Sequence, residues 1–215
     1  MHINNSIRDQ GLIAAICVAN DIVVRPSSEQ LASQLQSLVA QRKDQEFPAP
    51  SVKDAVRGLL KTGGFKPSGR NKPASEYLAQ AAREDRFPAI NNLVDVNNFV
   101  SLSTGLPISL LDAAEFGESL LLRYGREAER YVFNSGGQEI DLNGLICACA
   151  ATSDAPLGNP IKDSLTGKIK DATRSVVGII YAPSSMSETA KTGLALIAQL
   201  IASEGSASST ETFLV

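Results

Sequence analysis

A single histidine, His2, stands in 215 residues, beside the first residue of the chain, where fraying is expected. That scarcity excludes a histidine general base inside a folded site and with it a Ser-His-Asp triad, the commonest hydrolase design. Cysteine is almost as scarce. Cys17, Cys147 and Cys149 are too few and too oddly counted for a disulfide framework, and no Cys-x-x-Cys pair accompanies histidines, which excludes the usual structural zinc sites. Excess positive charge is missing too: the formal charge is -3 and the pI is near 5.3. Phosphate binding draws on clustered Lys and Arg, so any RNA contact must come from a local patch. Long apolar runs are absent. The longest, around residues 175–182, is far too short to cross a bilayer, and residues 1–5 are polar rather than basic and then apolar, so a cytosolic protein is expected. No glycine-rich nucleotide loop follows a strand and no metal-ligand cluster occurs, so no cofactor is expected.

What is present suffices for one sizeable core: 43% of residues are hydrophobic and 20% charged. Residues 12–24, rich in Ile and Val, predict two short strands joined by a turn at Asn20-Asp21. Ser27 with Gln30 has capping-box form, and Leu31, Leu35, Leu38 and Val39 follow at helical spacing. A second helix starts at Ser51, carries Val52, Val56 and Leu59 on one face, and closes at Gly63-Gly64. Pro73, Ser75 and Glu76 lead into a third, and a fourth starts at Ile90. From Ser119 the pattern changes to short apolar segments, predicting strands over 120–124, 130–133, 145–151 and 176–181. The last two do not alternate apolar with polar, so both their faces are covered. A final helix from about Ser187 presents Ala190, Leu194, Ile197 and Ile201. Residues 205–215 have nothing to bury and predict a disordered tail behind a single domain over 1–204. Helices followed by strands argue for the α+β class.

Three segments have the residue types for chemistry. Residues 57–72 hold Arg57, Lys61, Lys66, Arg70 and Lys72 without an acidic residue, a glycine-punctuated basic loop that suits phosphates or a carboxylate. The bland alternative is a solvated loop beside acidic neighbours. Residues 90–101 thread Asn91, Asn92, Asp95, Asn97 and Asn98 through a helical apolar pattern, although helices seldom favour such residues. Half-buried amides need partners, which a polar ligand such as an aminoacyl ester supplies, as does internal capping. Gly158-Asn159-Pro160-Ile161-Lys162-Asp163-Ser164 is a polar turn after an apolar strand, from which Lys162, Asp163 and Ser164 are able to project into a shared cleft, while spacing alone suits a plain surface turn. Cys147 and Cys149 share one strand face, which suits small core side chains better than a metal pair.

Lys66-Pro-Ser-Gly-Arg70, Ser75-Glu76, the run 91–100, Gly105-Leu-Pro-Ile108 and Asp112, in this order, resemble the tRNA-editing module of phenylalanyl-tRNA synthetase β subunits, built from their third and fourth B modules. Gly136-Gly137, Ile140-Asp141-Leu142, Lys162-Asp163-Ser164 and residues 171–177 are similar to free-standing members of that family, and the resemblance is strongest over 56–181. It implies a central, mostly antiparallel β-sheet or sandwich-like core with flanking helices. The activity it implies is hydrolysis, in a pocket, of the ester on a wrongly charged tRNA, and the partner is tRNA or aminoacyl-tRNA. Carried over by position, Asp95, Asn97, Asn98, Ser109, Lys162, Asp163 and Ser164 would hold the substrate, with Lys66, Arg70 and Lys72 near RNA. Asn98 keeps the family's asparagine. Asn97 stands where many synthetases have threonine, Ser109 where bacterial ones have histidine, and Lys162 where they have glutamate. Ester hydrolysis still needs only a positioned water and a stabilised oxyanion, which amides and hydroxyls provide without histidine. The alternative is a non-catalytic pocket for an amino acid, a modified nucleoside or tRNA.

Overall fold

The computed structural model describes all of residues 1–215; its helices follow the hydrophobic pattern closely, whereas the short strands over 2–5, 108–112, 139–141, 155–158 and 209–214 go beyond it. In order they are β1 (His2–Asn5), β2 (Leu12–Asn20), α1 (Glu29–Lys43), α2 (Pro50–Lys61), α3 (Ala74–Arg83), α4 (Asn92–Thr104), β3 (Ile108–Asp112) and β4 (Ser119–Tyr124). There follow β5 (Arg130–Val132), β6 (Glu139–Asp141), β7 (Ile146–Ala150), β8 (Ala155–Gly158), β9 (Ser175–Pro183), α5 (Ser187–Glu204) and β10 (Ser209–Leu214).

Two four-stranded sheets, ordered β1-β4-β7-β8 and β10-β2-β9-β3, make a sandwich, with a two-stranded β5-β6 ribbon beside it. Every pairing is antiparallel except β1 with β4. Strand alternation divides the interior into two cores. Ile16 and Val18 of β2 and Val177, Ile179 and Tyr181 of β9 meet Leu120, Leu122 and β7 between the sheets. Ala15, Cys17, Val176 and Ile180 face the other way and pack on Leu31, Val56, Val100 and Ile197 of the helices. This two-sided burial explains why β9 and β7 read as unbroken apolar runs. Each fully buried Ile or Leu contributes roughly 1.5 to 3 kcal/mol.

The helix ends are set locally. Ser28, not Ser27, caps α1, its Oγ accepting from Leu31 N at 3.1 Å. Ser27 instead donates to Asp95 Oδ2 at 2.6 Å. Pro50 opens α2, where its missing N–H costs nothing. Asn91 caps α4 by accepting from Val94 N, and Gly105, at φ 77°, ends it.

Three expectations are corrected. Residues 12–24 form one strand rather than two, because β9 and β10 occupy both edges of β2; beyond Asn20 the chain bends at Asp21, φ 54°, and Ile22 and Val23 donate to Arg174 O and Gly205 O. The segment expected as a disordered tail contains β10, which pairs with β2 from Ser209 opposite Asn20 to Leu214 opposite Ala15. Its hold is the backbone ladder, since its residues are largely exposed. Likewise His2 does not fray: β1 pairs with β4, and His2 N donates to Glu118 O at 2.7 Å.

Candidate functional site

Between α3, α4, the start of β3 and the loop that leaves β8 lies a cleft with two lobes. The first, about 370 Å³, is lined by Arg70, Tyr77, Asn97, Asn98, Lys162 and Asp163. The second, about 240 Å³, has Ile90, Val94, Leu110 and Ile169 for walls and shares Asn97 and Asp163 with the first. Two larger hollows lie elsewhere. One, about 460 Å³, runs beside α1, and its charged pair Lys43–Asp85 is satisfied internally at 2.6 Å. The other, about 630 Å³, lies at the end of the sandwich near His2 and Ser119. Neither contains a buried polar side-chain atom without a partner, as the two-lobed cleft does in Asn97 Oδ1.

The loop after β8 is shaped by its own hydrogen bonds. Asn159 Oδ1 accepts from the N–H groups of Ile161 and Lys162, both at 2.8 Å, a turn that aims residues 162 and 163 at the cleft. Asn159 Nδ2 donates to the Tyr131 hydroxyl, which itself donates to Lys162 O at 2.6 Å. Ala74 N, at the start of α3, donates to Pro160 O at 2.9 Å and ties the two walls together. A bidentate pair from Arg57 to Glu76, at 2.7 and 2.6 Å, clamps α2 to α3.

Asp163 lies where the two lobes meet. Its Oδ1 accepts from Ser109 Oγ at 2.6 Å and from Asn159 N at 3.3 Å, and Ser109 lies 3.1 Å from the Tyr181 hydroxyl. Oδ2 has no protein partner and is not sealed from solvent. Protein atoms crowd the carboxyl although part of the residue still meets the cleft. That burial pushes its pKa up to about 7, against the downward pull of the two hydrogen bonds and of Lys168. Burial also raises the Tyr181 phenol. Across the cleft, Asn97 Nδ2 donates to Asn98 Oδ1 at 3.2 Å, while Asn97 Oδ1 is buried with no partner. An acceptor left in that state costs about 1 to 3 kcal/mol until a ligand or water meets it. Lys162 is half-buried, its Nζ 4.2 Å from the centre of the Phe133 ring and 6.0 Å from that of Tyr77. Burial and the charge of Arg70 lower its pKa.

Of the residues singled out in the sequence, Asn97, Asn98, Lys162, Asp163 and Arg70 meet in this cleft. Ser109 stands behind Asp163, fully buried. Ser164 is buried as well, its Oγ accepting from Gly167 N at 3.0 Å to close a turn. Asp95 lies outside the cleft, in the first turn of α4, where it accepts from Ser27 and from Ile90 N at 2.9 Å and borders the hollow beside α1. Lys66 is exposed and does not line the cleft. Lys72 does not line the cleft either; it donates to Gln80 and sits 4.7 Å from the Tyr77 ring centre. Half of the unusual amides therefore serve the fold: Asn91 caps α4, and Asn92 bonds Val23 O, Glu204 O and Arg25 N. Sequence reasoning missed Tyr77, Tyr131 and Tyr181, and gave Asn159 a place in the turn but no role. Only Asn159, between Gly158 and Pro160, had a local signal, that of a turn.

No group of three or more His, Cys, Asp and Glu is placed to hold a metal ion. Cys147 and Cys149 are fully buried among core residues, and that burial raises their thiol pKa values. No helix is long and apolar enough to cross a membrane.

Comparison with known proteins bears on this arrangement. The chain is 28% identical over 119 residues to the phenylalanine–tRNA ligase beta subunit of Rhodopirellula baltica, a match that covers 54% of this chain and 17% of that protein. With the same subunit of Symbiobacterium thermophilum it shares 33% over 69 residues, covering 32% of this chain and 8% of the other. The chain thus spans only a small part of the length of these curated relatives. The crystal structure of an N-terminal fragment of the phenylalanyl-tRNA synthetase beta-subunit from Pyrococcus horikoshii has the same fold, with a TM-score of 0.52 at 10% identity, over 100% of this chain and 53% of that one. The B3/4 domain matches residues 66–195, which take in α3, α4, strands β3 to β9 and every residue of the cleft, and the chain belongs to the B3/4 domain family.

Proposed function

We propose that the cleft receives the acylated end of a tRNA and hydrolyses the ester in trans. The observation that carries this reading is the junction of the two lobes, where a carboxyl with its pKa pushed up to about 7 faces two amides. A group with that pKa exchanges protons with water readily at neutral pH. Asp163 Oδ2 takes a proton from the attacking water as its oxygen bonds to the acyl carbon. Asn98 Nδ2, which has no protein partner, donates to the resulting oxyanion. When the intermediate collapses, the carbon–oxygen bond to the ribose breaks and the departing oxygen takes the proton back from Asp163. Asn97 lines both lobes, and a turn of its side chain brings the buried, unpartnered Oδ1 out to accept from the α-ammonium of the aminoacyl group. Membership of the B3/4 domain family supports the substrate class.

The test is a panel of correctly and wrongly charged tRNAs incubated with the protein, with release of each amino acid followed for the wild type, Asn98→Ala and Asp163→Asn. Loss of one charged species, slowed at least about ten-fold in both variants, is the expected result. No release from any of them by a folded protein would overturn the hydrolytic reading. A pocket that binds without turnover is the second reading, favoured by the lack of any histidine in the cleft.

A further inference from the structure

The first lobe contains more positive charge than its own protein partners use. Arg70 and Lys162 both line it, neither makes an ion pair with any carboxylate of the chain, and no hydrogen bond engages either charged head. The only acid there, Asp163, has its Oδ1 committed to Ser109 and Asn159. Lys162 is not free to drift. Its backbone is held on both sides, by Asn159 Oδ1 at the N–H and by Tyr131 at the carbonyl, and its ammonium lies over the Phe133 ring. Holding a half-buried ammonium rigidly beside a second cation, without a counter-ion, opposes folding, and such an arrangement is understandable where a ligand provides the missing charge. Burial and the charge of Arg70 lower the pKa of Lys162, which is the same penalty.

We infer that the Arg70–Lys162 end of the cleft is an anion subsite, which takes a carboxylate or phosphate group of the ligand between the two cations. This rests on reading the cleft as the site for an aminoacyl ester and names the charge its ligand must have. In such an ester the α-carboxyl is already neutralised. The anion therefore comes either from an acidic side chain, as in an aspartyl or glutamyl ester, or from the phosphate of the nucleotide that carries it. In both cases the Asn97 amide and Asp163 Oδ2 remain for the ammonium and the reacting centre.

The test is equilibrium binding by calorimetry at pH 7, with two pairs of probes that differ in one anionic group: aspartate α-methyl ester against asparagine α-methyl ester, and adenosine 5′-monophosphate against adenosine. Binding is read apart from turnover, so a protein that releases no amino acid from tRNA can still pass, and one that does can still fail. The expected result is that the anionic member of at least one pair binds about ten-fold more tightly, and that Lys162→Met and Arg70→Gln each reduce this preference below about three-fold. The pair that discriminates identifies the source of the anion. Methionine keeps the aliphatic stem over Phe133; should that variant fail to fold, Arg70→Gln, at an exposed position, decides alone. Equal binding within both pairs, or an undiminished preference in the variants, would overturn the inference.

Discussion

Gly158 precedes the loop that presents Asp163, and a Cβ there would stand 2.9 Å from Asp163 Oδ1, 3.3 Å from Ser109 Oγ and 2.6 Å from Leu111 Cδ1. Gly158→Ala therefore forces apart the pair that sets the carboxyl, and urea titration should find it less stable by about 1 to 3 kcal/mol. Asp163 itself makes stability depend on pH. Its carboxyl rises from 3.8 to about 7 on folding, so the folded state holds its proton more tightly. The unfolded chain releases that proton first, and stability is lost as pH rises from about 4 to about 7. Asp163→Asn keeps the oxygen that accepts from Ser109 but cannot ionise. Relative to wild type, its melting temperature should therefore be higher at pH 8 than at pH 5 by a few degrees, on the order of 3 °C or more. A difference that does not change with pH would contradict the placement of this carboxyl. If Asp163 also moves the proton in hydrolysis, the wild-type rate should climb with pH to a plateau, with its midpoint near 7.

At the scale of elements, the walls of the cleft are independent segments that must be held together. Glu76 on α3 is almost completely buried and has Arg57 on α2 as its ion-pair partner. Arg57→Met removes that partner and leaves a buried carboxylate, which should cost about 2 kcal/mol or more in a denaturant titration. Adding Glu76→Gln should recover part of the loss, whereas a strictly additive double variant would show that the pair contributes nothing. At the other end of the chain, β10 makes a direct claim about backbone order. Val215 and Ala14 exchange both backbone hydrogen bonds, at 3.0 and 2.8 Å. The Val215 amide should therefore exchange with deuterated solvent well below the rate of an unprotected peptide. Exchange at the unprotected rate throughout 209–215 would instead favour the disordered tail that the composition suggested.

For the whole molecule, legibility followed burial. Helices α1 to α5 were readable because each buries one stripe, as with Val56 and Leu59 of α2 or Leu194, Ile197 and Ile201 of α5. Strands β7 and β9 were readable because both their faces are covered. The terminal strands were not: β10, Ser-Thr-Glu-Thr-Phe-Leu, owes its form to the free edge of β2, which no local pattern reveals. The site divides in the same way. Asn97, Asn98, Lys162 and Asp163 stood out as polar residues in unexpected settings or through the family resemblance. Tyr77, Tyr131 and Tyr181 look like ordinary apolar positions until the fold sets Tyr77 in the cleft wall, Tyr131 against Lys162 and Tyr181 against Ser109. Asp95 misled for a physical reason: a carboxylate in the first turn of a helix is equally suited to capping its neighbours, and here Ser27 and Ile90 use it.

The most direct test of the account is where on this molecule an acylated nucleotide binds. A non-hydrolysable adenosine with an aminoacyl group joined through an amide at the ribose, titrated into the labelled protein and followed by NMR, locates the site without turnover. Shifts centred on Arg70, Tyr77, Asn97, Asn98, Lys162 and Asp163 are the predicted result. Shifts centred on the hollow beside α1, at Leu35, Val39 and Phe87, or no saturable shifts at all, would contradict it.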